Sequence, residues 1–504
     1  MSEQDPNPDD VAAAEPLAEE PDSAATAHDI PMAAHLREAI SKDWDPAPPM
    51  PHPAPAGIGP YTARRRAALS ALFPDRLIVI ASGQLTTRAN DTEYAFRAAS
   101  AFTWLTGETA DSAVLVLAPS GGGHTATLYL AEYAQPGEPR YFTDRSHAAV
   151  WVGNVPSVAD TEAVLELAAR PLAALPDDLR RHDGARALAL RGVDPAVDAL
   201  LPGAEDDGLT QAIDELRLTK DEWELGRLRF ACEATARGFA DVARELPNVV
   251  GRGDVRGERW LEGTFWRRAR LEGNEVGYTS ILGAGAHATT LHWWRNHGVV
   301  QPGTLLLADM GVETDELYTA DVTRTMPVDG TWTAPQLQVY RAVQEAQAAG
   351  IAEVKAGADF TAAHKAAMWV LADHLHSWGI LPVTAEVSCA DDPERPGAGL
   401  HRRYTLHSTS HMLGIDVHDC ARARKEAYTE GTLAAGYVLT VEPGLYFQPN
   451  DLSAPAELRG IGVRIEDDIV VTDGAAENLS ALLPRDPDEI TEWMRDAQAA
   501  PAVP

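Results

Sequence analysis

LLLADMGVETDELYTADVTRTMPV, residues 305–328, is the stretch on which the reading of the chain turns. The apolar run Leu305–Leu307 leads into Asp309 and Gly311. The polar segment Glu313–Glu316 follows, and a second run rich in β-branched residues carries Asp321, Thr323 and Thr325. This pattern predicts a β-hairpin with its turn near Asp315. A turn centred there sets Asp309 across from Asp321, with Cβ atoms roughly 5 Å apart on one face. Two like charges at that spacing destabilise a sheet and push one carboxyl toward its neutral form. A divalent cation between them removes the penalty. Taken alone, the stretch also reads as a solvated hairpin with two exposed acids, because Asp is depleted from strand interiors.

A second copy of the pattern lies further along. Gly303 is followed six residues on by Asp309 in GTLLLADMG, and Gly436 is followed six residues on by Glu442 in GYVLTVEPG. Each copy is followed by another strand bearing an acid, Asp321 in the first and Glu466 (GVRIEDDIVV) in the second. The connection is 12 residues in the first copy and 24 in the second. An internal duplication is therefore expected, bringing four carboxylates to corresponding places in two half-domains.

The chain has 504 residues, too many for one ordinary core, so two domains plus tails are expected. A formal net charge of -33 argues against nucleic acid and anionic membrane as partners. Three cysteines without a CxxC spacing (Cys232, Cys389, Cys420) fit a reducing compartment. Residues 1–60 are expected to be a disordered acidic tail ending in a Pro-rich linker, since no Lys or Arg precedes Arg37. That tail lacks the basic start and apolar core of a secretory signal, and no run reaches the length of a membrane span. A cytoplasmic protein is expected.

Residues 61–205 read as a first α/β domain, with buried strands at Leu77–Ile80 and Ala113–Leu117 and a third after the turn Gly121–Gly123. No Lys-Ser/Thr follows that glycine run, so it is a turn rather than a phosphate loop. The aromatic-rich stretch 93–107, EYAFRAASAFTWLTG, reads as core or interface rather than chemistry. The second domain, 206–485, opens with an amphipathic helix near Leu209–Leu246 whose charge run (Lys220 to Arg229) is expected to be a solvated face. Helices are expected at Gln336–Ala356 and, capped by Asp359, at Phe360–Trp378, with His364, His374 and His376 at the surface. Residues 486–504 form a carboxy-terminal tail.

HSTSHMLGIDVHD packs His407, His411 and His418 into twelve residues. The His407/His411 spacing matches a zincin helix, but Ser408 stands where the Glu is required. Beside a four-carboxylate site, three such histidines read as one metal ligand and two hydrogen-bonding neighbours. His292, in LHWW, precedes the first acidic strand and can approach the same face.

Together, ADMG, TADVTRT, HSTSHMLGIDVHD, TVEPG and GIGVRIEDD resemble the pita-bread metallopeptidases, and within them aminopeptidase P and its sister prolidase. The resemblance spans about residues 61–485, including YAFRAASAFTWLTG, which is similar to the amino-terminal domain of aminopeptidase P. It implies an α+β fold: a pita-bread catalytic domain with pseudo-two-fold duplicated halves, preceded by a smaller α/β creatinase-like domain. The family usually has one residue fewer between the two aspartates, and the extra residue is expected in the Glu313–Glu316 turn.

The implied metal ligands are Asp309, Asp321, His411, Glu442 and Glu466, holding two divalent ions, for which hard carboxylates with one imidazole suit Mn²⁺. The implied reaction is release of the N-terminal residue from peptides with proline in second position, by a metal-bridging hydroxide. His292 and His418 would hydrogen-bond the substrate carbonyl and the tetrahedral intermediate, and Glu442 would shuttle the proton. Arg464, two residues before Glu466, would orient that carboxylate, and His407 would line the substrate pocket. A homo-oligomer, dimer or tetramer, is expected. The alternative within this chemistry is a prolidase confined to dipeptides. A metal-independent creatinase-like hydrolase and a non-enzymatic binding module are disfavoured, because every implied ligand is present.

Overall fold

The computed structural model describes residues 33–501 apart from 46–49, 55–56, 91, 183–185, 207 and 254. Most of the acidic tail lies outside these residues. Among the described residues from 33 to 60, the expectation of disorder is corrected. Ala34–Ile40 is a helix, and the Trp44 ring packs edge-on against Tyr141 at 5.6 Å.

The chain divides into two compact units. Among the described residues, the smaller gathers residues 33–45, 85–96 and 133–155. It holds that helix, a hairpin of Thr87–Ala89 with Thr92–Glu93, and a short helix at Ala149–Val152. Tyr141, Ala134 and Ala148 form its apolar centre.

The larger unit contains everything else. Its first part is a five-stranded sheet ordered Ala169–Pro171, Gly123–Leu130, Val114–Ser120, Leu77–Ala81, Ala187–Ala189. The second and third strands of that order join through Gly121-Gly122, both with positive φ (61° and 88°), which is the two-residue turn that matches strand twist. The Gly-rich run is thus a hairpin turn. Arg65, from the helix Gly59–Leu72, pairs with Asp221 at 2.8 Å and Glu224 at 3.5 Å.

The expected long helix is two helices, Leu209–Arg217 and Glu222–Arg252. Asp221 breaks it, its carboxylate accepting from the N–H groups of Trp223 and Glu224 as an N-cap. The charge run is also not a solvated face throughout. Lys220 and Glu224 are buried, and Lys220 Nζ donates to Asp419 Oδ2 at 2.9 Å. Periodicity shows which residues share a face, and here part of that face is covered by ion-paired partners.

Leu305–Met310 pairs with both Val322–Pro327 and Ile281–Ala284, and Val438–Val441 pairs with Asp467–Val470. The first hairpin places Asp309 across from Thr323, not Asp321. Its turn is one residue longer-set than expected: Glu313 pairs with Thr319, and Leu317 takes a left-handed φ of 70°. Moving the turn centre by one residue moves every cross-strand partner by two. Asp321 therefore lies just before its strand, on the same side as Thr323. In the second copy one register runs from Val438↔Val470 to Tyr446↔Gly462, which sets Glu442 across from Glu466. The two halves are related, but their acids do not occupy identical register positions.

The helices Ala334–Ala352 and Ala362–Ser377 pack on each other, and Pro487–Ala499 packs on Glu222–Arg252. Thr361 occupies the N-cap position expected for Asp359, and its side chain does not cap. Among the described residues no helix is long and apolar enough to cross a membrane.

Candidate active site

The four acids and three of the histidines line one cavity of about 710 Å³, together with His292, Arg464 and Tyr278. Local pairing explains how the HSTSH segment reaches it. The Thr440 N–H donates to the His411 carbonyl (3.0 Å) and the Glu442 N–H to the Thr409 carbonyl (2.8 Å), so the segment runs beside the strand ending at Glu442. His364, expected at the surface, is half-buried behind it, with Nδ1 2.8 Å from Thr409 Oγ1.

Asp321, His411 and Glu466 each turn a donor atom toward one point, with these atoms within 4.8 Å of one another. His411 Nε2 is 3.3 Å from Asp321 Oδ2 and 3.6 Å from Glu442 Oε1. Its Nδ1 donates to the Met412 carbonyl at 3.1 Å, which turns Nε2 toward the acids, where a bound cation would take the place of its proton. His407 is different. Its Nδ1 faces the Ser408 carbonyl and its Nε2 the Tyr446 hydroxyl, both at 2.8 Å, so neither nitrogen is left for a metal.

Arg464 does not grip Glu466 as expected. Its guanidinium donates to Asp309 Oδ2 (2.5 Å), the Tyr446 hydroxyl (2.9 Å) and Thr323 Oγ1 (3.1 Å). Thr323 in turn donates to Glu466 Oε2 at 2.6 Å. The strand carrying Arg464 ends there, so the two-residue alternation does not carry on to Glu466. Tyr278, which the sequence reading passed over, donates to Asp309 Oδ1 at 2.6 Å. Asp468 accepts from the Asp321 N–H at 3.0 Å and from the buried Cys232 thiol at 3.2 Å. Tyr446 had a readable signal, since it lies four residues after Glu442 on the strand pairing with Arg464; Tyr278 had none.

His418 and His292 are exposed on the cavity lining, with the His418 ring 4.4 Å from His411 and set edge to face. Neither is held by the acids, which leaves both able to face a bound molecule.

The electrostatics follow from burial. Desolvation, helped by the charges of Asp321 and Asp309, outweighs His411 and Arg464 and pushes the Glu442 carboxyl up to about 8. Glu466 is raised well above the usual carboxylate range by burial and then Asp321, and Asp309 is raised too, mainly by burial. For His411 burial is outweighed by the hydrogen bond and charge of Asp321, and its pKa rises to about 9. Burial and then Arg464 bring His407 down to about 4, and burial and then His411 lower His418. Among the described residues lining the cavity, Arg464 is the only permanent cation. Four carboxylates and one imidazole in a cavity with a single permanent cation fit hard divalent cations, which would displace the protons these groups hold.

The profile of Metallopeptidase family M24 matches residues 226–473, and that of the aminopeptidase P N-terminal domain matches residues 61–187. Xaa-Pro aminopeptidase 2 of Streptomyces coelicolor is 51% identical over 444 residues, covering 88% of this chain and 92% of the relative. The chain belongs to metallopeptidase family M24. Within M24, the Xaa-Pro aminopeptidase of Escherichia coli K12 is 30% identical over 447 residues, covering 86% of this chain and 97% of its own. The solved structure of aminopeptidase P from E. coli with the inhibitor Pro-Leu matches with a TM-score of 0.74 at 27% identity, covering 88% and 99% of the two chains. The α+β pita-bread architecture read from the motifs is thus the architecture of this M24 protein, a hydrolase that uses divalent metal.

Proposed function

We propose that this M24 metallopeptidase is an Xaa-Pro aminopeptidase, releasing the N-terminal residue from peptides with proline in second position. One observation carries the reading: Asp309, Asp321, Glu442, Glu466 and His411 line a single cavity, with His411 Nε2 turned toward Asp321 and Glu442 and close to Glu466. These five would hold two divalent ions, with Mn²⁺ the preferred pair on donor hardness. When bound, the ions lower the pKa of a shared water and polarise the scissile carbonyl. Arg464 and Tyr278 hold Asp309 in place, and Thr323 holds Glu466. His292 and His418 donate to the substrate carbonyl and the developing oxyanion. Glu442 passes the proton to the departing imide nitrogen. His407, tied through Tyr446 to Arg464, shapes the pocket wall. A prolyl bond suits such a site because it offers no N–H for a peptidase to recognise.

The reading assigns residues 61–205 to the amino-terminal domain and 206–485 to the catalytic domain, in a cytoplasmic homo-oligomer, dimer or tetramer. Three unpaired cysteines support a reducing compartment.

The test is a substrate panel on protein stripped of metal and reloaded with Mn²⁺. Cleavage of Xaa-Pro-Xaa tripeptides and longer peptides, absent after chelation and restored by Mn²⁺, is the expected result. Cleavage confined to Xaa-Pro dipeptides would replace the reading with a prolidase. Full activity in protein shown to be metal-free would overturn both.

A further inference from the structure

The loop Gly414–Asp419, which carries His418, contains no helix or strand, so its shape depends on side chains that reach it from elsewhere. Two of them come from the stretch 93–107. Arg97 Nη2 donates to the Ile415 carbonyl at 2.7 Å, and Ser100 Oγ donates to Asp416 Oδ1 at 2.6 Å. Arg97 Nη1 also donates to Ser100 Oγ at 3.1 Å, which joins the two contacts. The remaining edge of the guanidinium, Nε, donates to Glu313 Oε2 at 2.7 Å.

Glu313 is four residues beyond Asp309, and its strand partner Thr319 is two residues before Asp321. The Thr319 N–H donates to the Gly414 carbonyl at 3.0 Å. A single side chain therefore spans the acid-bearing hairpin and the histidine loop. From the other side, Arg217 donates to Asp416 Oδ2 at 2.8 Å and pairs with Asp419, while Lys220 holds Asp419. The loop is gripped at both ends and His418 is left exposed between them.

We propose that Arg97, acting with Ser100, is a positioning residue for His418: it fixes the loop 414–419 against the hairpin that bears Asp309 and Asp321. This rests on the reading of His418 as a donor to the substrate. Arg97 touches neither the acids nor the cavity lining, so it acts through geometry. A displacement of about 1 Å in a catalytic group lowers rate by up to roughly 100-fold.

The experiment compares Arg97→Met, Ser100→Ala, His418→Ala and the double variant R97M/H418A in turnover of an Xaa-Pro-Xaa tripeptide, with metal content measured on each. R97M is expected to lose roughly 10- to 100-fold in kcat, with metal content and KM near wild type. S100A should show the same pattern with a smaller loss. The double variant should be no slower than H418A, because the residue through which Arg97 acts is already gone. Independent, multiplying losses in the double variant would overturn the proposal, as would loss of metal in parallel with rate or unchanged turnover in R97M. Near-wild-type turnover in H418A would instead remove the reading of His418 on which the proposal rests. Should R97M fail to fold, S100A and its combination with H418A decide by the same comparison.

Discussion

The Arg464 guanidinium and the Asp309 carboxylate form a buried ion pair at 2.5 Å, and the same guanidinium reaches Tyr446 and Thr323. One cation thus serves both halves of the duplicated domain, through Asp309 in the first and through Thr323 to Glu466 in the second. Lys has a single terminal nitrogen and cannot span three partners in that way. Arg464→Lys and Arg464→Met should therefore weaken metal affinity by roughly 10- to 100-fold. Titration of the stripped variants with Mn²⁺ checks this, and wild-type affinity in Arg464→Met would remove Arg464 from the support of the site.

His411 and His418 should separate cleanly. His411→Ala removes the ring nitrogen that faces Asp321 and Glu442 and should lower metal content together with rate. His418→Ala should keep the metal and lose rate by roughly two to three orders of magnitude, the usual effect of losing an oxyanion donor. Elemental analysis and turnover on both variants distinguish the roles, and equal metal loss in the two would show the histidines to be misassigned.

The carboxylates predict a pH dependence that belongs to the metal-free protein. Burial pushes Glu442 up to about 8, so the folded state binds a proton that the unfolded chain has released. Metal-free stability should therefore fall as pH rises from the ordinary carboxylate range toward about 8. His411, raised to about 9 against burial by Asp321, adds in the same direction. Its contribution is complete below its unfolded pKa and is lost as pH rises through the folded one. Bound cations replace those protons. The gap in melting temperature between Mn²⁺-loaded and stripped protein should widen from about pH 6 to about pH 8, with proton release on metal binding. A gap that stays constant with pH would show that the acids are already ionised without metal.

Truncations of the amino terminus should diverge at two boundaries. Deleting residues 1–32 should leave turnover and melting temperature near wild type. Deleting residues 1–55 also removes Trp44 from Tyr141 and His52 from Glu108, a pair at 2.9 Å with both side chains buried. That longer deletion should lower stability by about 2–4 kcal/mol. Equal melting temperatures for the two truncations would show that these contacts contribute nothing.

Much of the site was legible because its chemistry repeats at fixed spacing. The six-residue interval from glycine to acid appears in both copies, and it places Asp309 and Glu442 at matching strand ends. The register of the first hairpin was not legible. It depends on Leu317 adopting a left-handed φ of 70°, and leucine carries no local signal for that conformation. Alternation from Arg464 points to Glu466, yet the guanidinium reaches Asp309, because alternation along a strand says nothing about where the strand ends. Tyr278 joins Asp309 from a loop 31 residues earlier, through tertiary packing alone. The charge run at Lys220 and Glu224 reads as solvated for a similar reason: their covering partners lie far away in sequence.

That distance has a consequence for how the protein is made. Lys220 and its partner Asp419 are 199 residues apart in the chain, and both side chains are about 1% exposed once paired. At translation rates of about 5–20 residues per second, Asp419 is made roughly 10–40 s after Lys220. Throughout that interval the junction between the helices ending at Arg217 and beginning at Glu222 holds two cations, Arg217 and Lys220, that cannot yet be buried. The five-stranded sheet, all of whose strands precede residue 190, can close on the ribosome during this time. The helical junction must stay open to water until the histidine loop arrives, so burial of Lys220 waits for the chain to be made as far as Asp419.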